Sequence, residues 1–191
     1  MMAVLAVVAI AASAAVGYSV SGRGRAGQSA TSIGGPINLT AGNGQRFTSA
    51  DIGGKPFAIF FGFTRCPNVC PTTLSDLTLD LERLGPLADR LGVLFVTIDP
   101  ERDTPQSMKD YLSAFDPRIT GLSGTPDEIA ALARDYRVFY QKVPTEGGDY
   151  TMNHTATVFL MNGKGALSGT ISFEEEQAVQ VAKLKRLAEA G

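Results

Sequence analysis

The chain has 191 residues, room for one domain plus a short appendage at the usual scale of roughly 100–200 residues per domain. Hydrophobic residues make up 44% and charged residues 19%, a globular balance that excludes a wholly disordered chain. The net charge of -2 supplies no basic footprint for a phosphate backbone, which excludes nucleic acid as a partner.

Met1 to Val20 carries no charged side chain and is close to the roughly 20 apolar residues that span a bilayer. We read residues 1–20 as a transmembrane anchor or a signal sequence. Arg23 and Arg25, by the positive-inside rule, would favour a cytoplasmic domain, a weak vote from two residues. Residues 21–35 turn to Gly, Ser, Arg and Ala without apolar periodicity and read as a flexible tether, leaving 36–191 as the folded domain.

Ile37 to Thr40 and Gln45 to Phe47 flank Ala41-Gly42-Asn43-Gly44, turn chemistry for an opening hairpin. The continuously apolar run Phe57 to Phe63 predicts a strand buried on both faces, and Val93 to Ile98 repeats the pattern. Between them Leu74, Leu77, Leu81 and Leu84 recur at helical spacing until Gly85-Pro86, which completes a βαβ unit. Thr104-Pro105 and Thr125-Pro126-Asp127-Glu128 open two further helices, each with Thr as the cap. A strand near Arg137 to Val143, a hairpin of Thr155 to Met161 and Leu167 to Ser172, and a closing helix from Glu174 to Ala190 finish the chain. The glutamates Glu174, Glu175 and Glu176 suit the positive end of that helix. This element order predicts an α/β, thioredoxin-like fold with an N-terminal hairpin extension, preceded by the anchor.

The only cysteines are Cys66 and Cys70, in Thr64-Arg65-Cys66-Pro67-Asn68-Val69-Cys70-Pro71, just past the carboxyl end of a buried strand, where open α/β sheets place their sites. Pro71 places Cys70 at the N-cap of the following helix, where backbone N–H groups and nearby Arg65 favour thiolates, so both cysteines are expected to be reactive. Their three-residue spacing is wider than the two-residue redox turn; it permits a disulfide, a redox pair, or two sulfurs facing one soft cation.

The single histidine, His154, precedes the apolar strand Ala156 to Met161, and in the predicted sheet that strand neighbours the one carrying the cysteines. His154 should then approach the cysteine loop. Two thiolates and an imidazole suit three-coordinate Cu(I), whereas zinc would ask for a fourth ligand or water. The scattered methionines Met108, Met152 and Met161 read as fillers, with Met152 a remote fourth ligand.

With these residues in view the chain resembles the Sco (SenC/PrrC-like) family of membrane-anchored copper proteins serving cytochrome c oxidase assembly. The resemblance rests on Gly62 to Leu74, on Asp99-Pro100-Glu101-Arg102-Asp103-Thr104-Pro105 and on the His154 loop. It implies copper bound by Cys66, Cys70 and His154, Cu(I) favoured with Cu(II) as the alternative, and a redox-active dithiol. It also implies delivery to the copper-site subunit of cytochrome c oxidase, exchange with another copper chaperone, and a domain facing the periplasm or intermembrane space. Two residues depart from the family pattern: Asn68 and Asn153 stand where it usually has Asp, which removes carboxylates that would help hold Cu(II). Asp99 could stand behind the ligands, although a turn and helix start also account for it. A thiol-disulfide oxidoreductase that reduces partner cysteines is the rival reading, and a peroxidase of the same fold the weakest.

Overall fold

The computed structural model describes residues 32–191. The anchor expected over residues 1–20 and the tether up to residue 31 lie outside the described residues, and no helix among the described residues is long and apolar enough to cross a membrane.

A seven-stranded mixed sheet organises the domain. Its strands are β1 (Asn38–Ala41), β2 (Arg46–Thr48), β3 (Phe57–Gly62), β4 (Gly92–Thr97), β5 (Ile119–Ser123), β8 (Val158–Met161) and β9 (Leu167–Ile171). They lie in the order β2-β1-β5-β4-β3-β8-β9. The centre is parallel, with β3 on β4 from Phe57↔Gly92 to Gly62↔Thr97 and β4 on β5 from Val93↔Ile119. The flanks are antiparallel, β8 pairing β3 with Phe60 opposite Val158. Helix α1 (Val69–Leu84) crosses from β3 to β4 and α2 (Pro105–Leu112) from β4 to β5. Helices α3 (Pro126–Asp135) and α4 (Gln177–Glu189) complete the set, α4 packing on α1. This is the predicted thioredoxin-like α/β arrangement with its opening hairpin, Leu39 facing Phe47 across the turn.

Every residue of β3 is buried, as its unbroken apolar run requires of a central strand. Successive side chains leave opposite faces, so Phe61 meets Tyr136 and Phe159 while Phe60 stacks on Phe95. Each such ring removes enough apolar surface from water to stabilise the fold by about 1.5–3 kcal/mol. The caps at α2 and α3 form as expected: Thr104 accepts from the Ser107 N–H, and Thr125 and Glu128 make a reciprocal capping box.

The structure departs from expectation at several elements, and the closing helix starts at Gln177 rather than Glu174. Strand β5 has no counterpart in the sequence reading. The strand expected from Arg137 begins at Tyr140 instead, because Arg137 takes a left-handed φ of 55° and closes α3. There the Val138 N–H bonds to the Ala133 carbonyl and that of Arg137 to Arg134, a Schellman ending made without glycine. Finally, β6 (Tyr140–Pro144) and β7 (Tyr150–His154) pair only with each other, forming a separate two-stranded sheet.

Asp80 on α1 is fully buried, and neither of its carboxyl oxygens has a hydrogen-bond partner among the described residues. Burial, reinforced by the charge of Asp76, pushes this carboxyl up to about 7 against the opposing charge of Arg83. Since the unfolded value is about 3.9, the protonated form favours the fold, and stability is lost as pH rises through 7. Asp80→Asn should therefore stabilise the full chain by about 1–3 kcal/mol at pH 8. Urea unfolding should show that advantage shrinking toward pH 4; an advantage equal at both pH values refutes the assignment.

Candidate metal centre

Strand β3 ends at Gly62, and the chain turns through Phe63 to Asn68 into α1, with the Cys66 N–H bonded to the Phe63 carbonyl at 3.2 Å. The turn is pinned from the neighbouring β4–α2 loop. The buried Asp103 carboxylate accepts the Thr64 N–H at 3.0 Å, the Thr64 hydroxyl, and the Thr97 hydroxyl at 2.7 Å. Three donors fully occupy a carboxylate that could not otherwise be kept from water.

Asn68, rather than Cys70, is the N-cap residue of α1, and its side chain makes no capping bond. Cys70 sits inside the first turn, which leaves Pro71 at the third helical position, where a missing N–H breaks no intrahelical bond. The free N–H of Cys70 points at the Cys66 sulfur at 3.4 Å, so this sulfur does the work of a capping oxygen. Cys70 itself is fully buried, and Cys66 is partly exposed. Gly62 makes room for it: a Cβ there would lie 2.7 Å from the Cys70 sulfur and equally close to the Phe95 ring.

This placement makes the two thiols unequal. The neighbouring Cys70 thiol, with the Cys70 and Asn68 N–H groups, outweighs burial and lowers Cys66 to about 4. Cys70, donating to Cys66, buried, and facing the Cys66 charge, is pushed far upward. Cys66 is the more acidic and more open of the two thiols, and Cys70 the sealed one.

His154 is the last residue of β7 rather than part of a loop. Its Nε2 lies 3.6 Å from the Cys70 sulfur, and its Nδ1 lies 3.0 Å from the Thr155 carbonyl. A carbonyl only accepts, so Nδ1 carries the proton and the Nε2 lone pair faces the sulfurs. Phe63 meets the imidazole edge-on at 5.8 Å and Phe60 lies 6.2 Å from it, walls that hold the ring's tilt. The donor atoms of Cys66, Cys70 and His154 all lie within 4.8 Å of one another. Two sulfurs and one imidazole nitrogen are a soft, low-coordinate set that fits Cu(I), and the Phe60 and Phe63 rings limit water around it.

The remaining candidates fall elsewhere. Met152 lines a cavity beneath the β6–β7 hairpin with Asp99 and Ile98. Asn68 and Asn153 are both exposed. Asp99 is buried, bonded to Arg102 and to the Tyr150 hydroxyl, and so holds the hairpin rather than the cysteines. Thr64, Thr97, Arg102, Asp103 and Tyr150 were missed as parts of the site. The motif Asp99 to Pro105 carried a signal, an Asp and Arg three residues apart, but their partners come from distant sequence.

Comparison with known proteins follows the same outline. Residues 25–189 match the family model described as SCO1/SenC. A human protein, "Protein SCO1 homolog, mitochondrial", is 40% identical over 137 residues, covering 70% of this chain and 45% of that protein. This chain spans from 39% to 48% of the length of the human, mouse and Arabidopsis relatives. Among solved structures, Bradyrhizobium japonicum ScoI with copper bound is 48% identical with a TM-score of 0.76, covering 81% of this chain and 99% of that one. Yeast Sco1 with copper bound is 36% identical with a TM-score of 0.76, covering 84% and 90%.

Because Cys66 is both the exposed and the acidic thiol, limiting iodoacetamide at pH 6 should alkylate Cys66 and spare Cys70, as read by peptide mass spectrometry. Cys70→Ala removes the principal donor and should move the Cys66 alkylation midpoint upward in pH. Equal labelling of both cysteines in the wild type contradicts the split.

Proposed function

The chain belongs to the SCO1/SenC family, and on that premise we propose that it carries copper, taking Cu(I) as cargo on Cys66, Cys70 and His154 and delivering it to the copper-site subunit of cytochrome c oxidase. The observation that carries this reading is the convergence within 4.8 Å of the chain's only two cysteines and only histidine. The copper-bound state of relatives 48% and 36% identical supports the choice of metal. Cys66 is the more acidic thiol, the protonated Nδ1 orients the Nε2 lone pair inward, and the Phe60 and Phe63 rings flank the imidazole.

A set of three ligands is also suited to transfer. Cu(I) accepts two or three ligands, so a partner's thiolate can join before an original ligand leaves. With residues 1–20 as an anchor, the domain would face the periplasm or the intermembrane space, where the oxidase copper site lies. Another copper chaperone would supply the metal.

A second reading has its own observation. Cys66 and Cys70 are both free, the Cys70 N–H lies on the Cys66 sulfur and Cys66 is the more acidic thiol, an arrangement in which one sulfur can attack and the other resolve a mixed disulfide. Reduction of the acceptor's cysteines would then precede or replace delivery.

Anaerobic competition titration of the full chain with a Cu(I) chelator tests the first reading. His154→Ala should weaken Cu(I) binding by at least about tenfold, since it removes a ligand; unchanged affinity sinks the three-ligand site. Dithiol reduction of a model disulfide should persist in the same variant. Asn68→Asp and Asn153→Asp should each raise Cu(II) affinity, and no gain in either would remove the proposed tilt toward Cu(I).

A further inference from the structure

The ligands come from two parts of the fold that share no strand pairing. Cys66 lies in the turn that leaves β3 of the main sheet and Cys70 in α1, whereas His154 ends β7 in the separate two-stranded sheet. Something must fix that hairpin against the body. Apolar packing does only part of this, because a cavity of about 220 Å³ lined by Ile98, Asp99, Pro100, Tyr140, Lys142 and Met152 lies beneath it.

The β4–α2 loop reaches into that gap. Asp99 is 1% exposed; one carboxyl oxygen pairs with the Arg102 Nε, and the other accepts the Tyr150 hydroxyl at 2.8 Å. Arg102 also donates to the Tyr150 carbonyl at 2.8 Å and to Asp149 at 3.1 Å, and its guanidinium carbon lies 3.6 Å from the Tyr150 ring centroid. Tyr150, Met152 and His154 alternate along one face of β7, so a grip on Tyr150 sets the rotation and depth of the strand that presents His154. Four residues beyond Asp99, Asp103 grips Thr64 on the cysteine turn.

We propose that the loop Asp99–Asp103 is the positioning element of the metal centre, its Asp99–Arg102 clasp on Tyr150 seating His154 and its Asp103 seating Cys66 and Cys70. The inference rests on the copper reading above and adds that the spacing between imidazole and dithiol is set by one rigid segment gripping both halves. Lys142, paired with Glu101 of the same loop and 4.6 Å from the Tyr150 ring, extends the grip on the hairpin at the surface.

The two grips act through different ligands, so a double-mutant design separates them. In the full chain, Cu(I) affinity is measured anaerobically for Arg102→Met, Tyr150→Phe and Thr64→Val, each in the wild-type and His154→Ala backgrounds. Tyr150→Phe loses one hydroxyl and keeps the ring, which guards against simple unfolding. Hydrogen exchange of the metal-free proteins is read alongside.

Arg102→Met should weaken Cu(I) roughly tenfold when His154 is present, the scale of losses seen when a ligand's supports are removed, and less than about twofold when it is absent. Tyr150→Phe should show a smaller loss with the same dependence. Thr64→Val, acting through the cysteines, should weaken Cu(I) in both backgrounds. Exchange should quicken over residues 140–154 in Arg102→Met while β3 and α1 stay protected. An Arg102→Met loss that is equal in both backgrounds, or absent, overturns the clasp while leaving the copper site intact. An equal affinity of wild type and His154→Ala overturns the three-ligand site on which this inference rests.

Discussion

Two strands paired in parallel must leave their sheet at the same edge, and β3 and β4 are paired in parallel over their whole length, to Gly62↔Thr97. The rung beyond it, from the Ile98 N–H to the Gly62 carbonyl at 2.8 Å, carries the two chains out side by side. The cysteine turn and the Asp99–Asp103 loop are therefore neighbours by backbone geometry, before any side chain is considered. The apolar β3 run and the leucine-studded crossover helix enforce that pairing, since any slip would put buried residues into water. Buried carboxylates can then serve as anchors, because donors lie opposite them in a fixed register.

The chemistry of the cysteine pair follows from a helix that starts two residues earlier than its prolines suggest. A cap at Cys70 would have given two similar thiols at the positive end of a dipole. Placing Cys70 within the first turn buries it and leaves the Cys66 sulfur to receive its N–H. Two residues of difference in the helix start separate a symmetric pair from one open and one sealed sulfur. His154, approaching from the other side, then meets sulfurs of unequal character.

Much of this was legible in the chain itself. The buried strands announced themselves as unbroken apolar runs, α1 by its leucines, and α2 and α3 by Thr-Pro starts whose caps form as drawn. The three donors could be named because they are the only ones of their kind. Less visible were features set by distant partners. Strand β5, Ile119–Ser123, includes Thr, Gly and Ser, a weak apolar signal that its place between β1 and β4 overrides. The ending of α3 fell on Arg137, where no glycine advertises a left-handed residue. Strand β7 read as a loop because its Tyr, Thr and Asn suit an open surface; its inward face is recognisable only once Asp99, some fifty residues earlier, is seen to receive the Tyr150 hydroxyl.

The unequal depth of the two sulfurs gives the centre a direction. Arg65, Pro67 and Asn68 are exposed around the partly open Cys66, whereas Cys70 is sealed beneath Gly62 and Phe95. A visiting ligand enters past Cys66 and meets Cys70 last. The site thus has a front door and a back wall, and the order in which its bonds can be exchanged is written into burial rather than into bond strength.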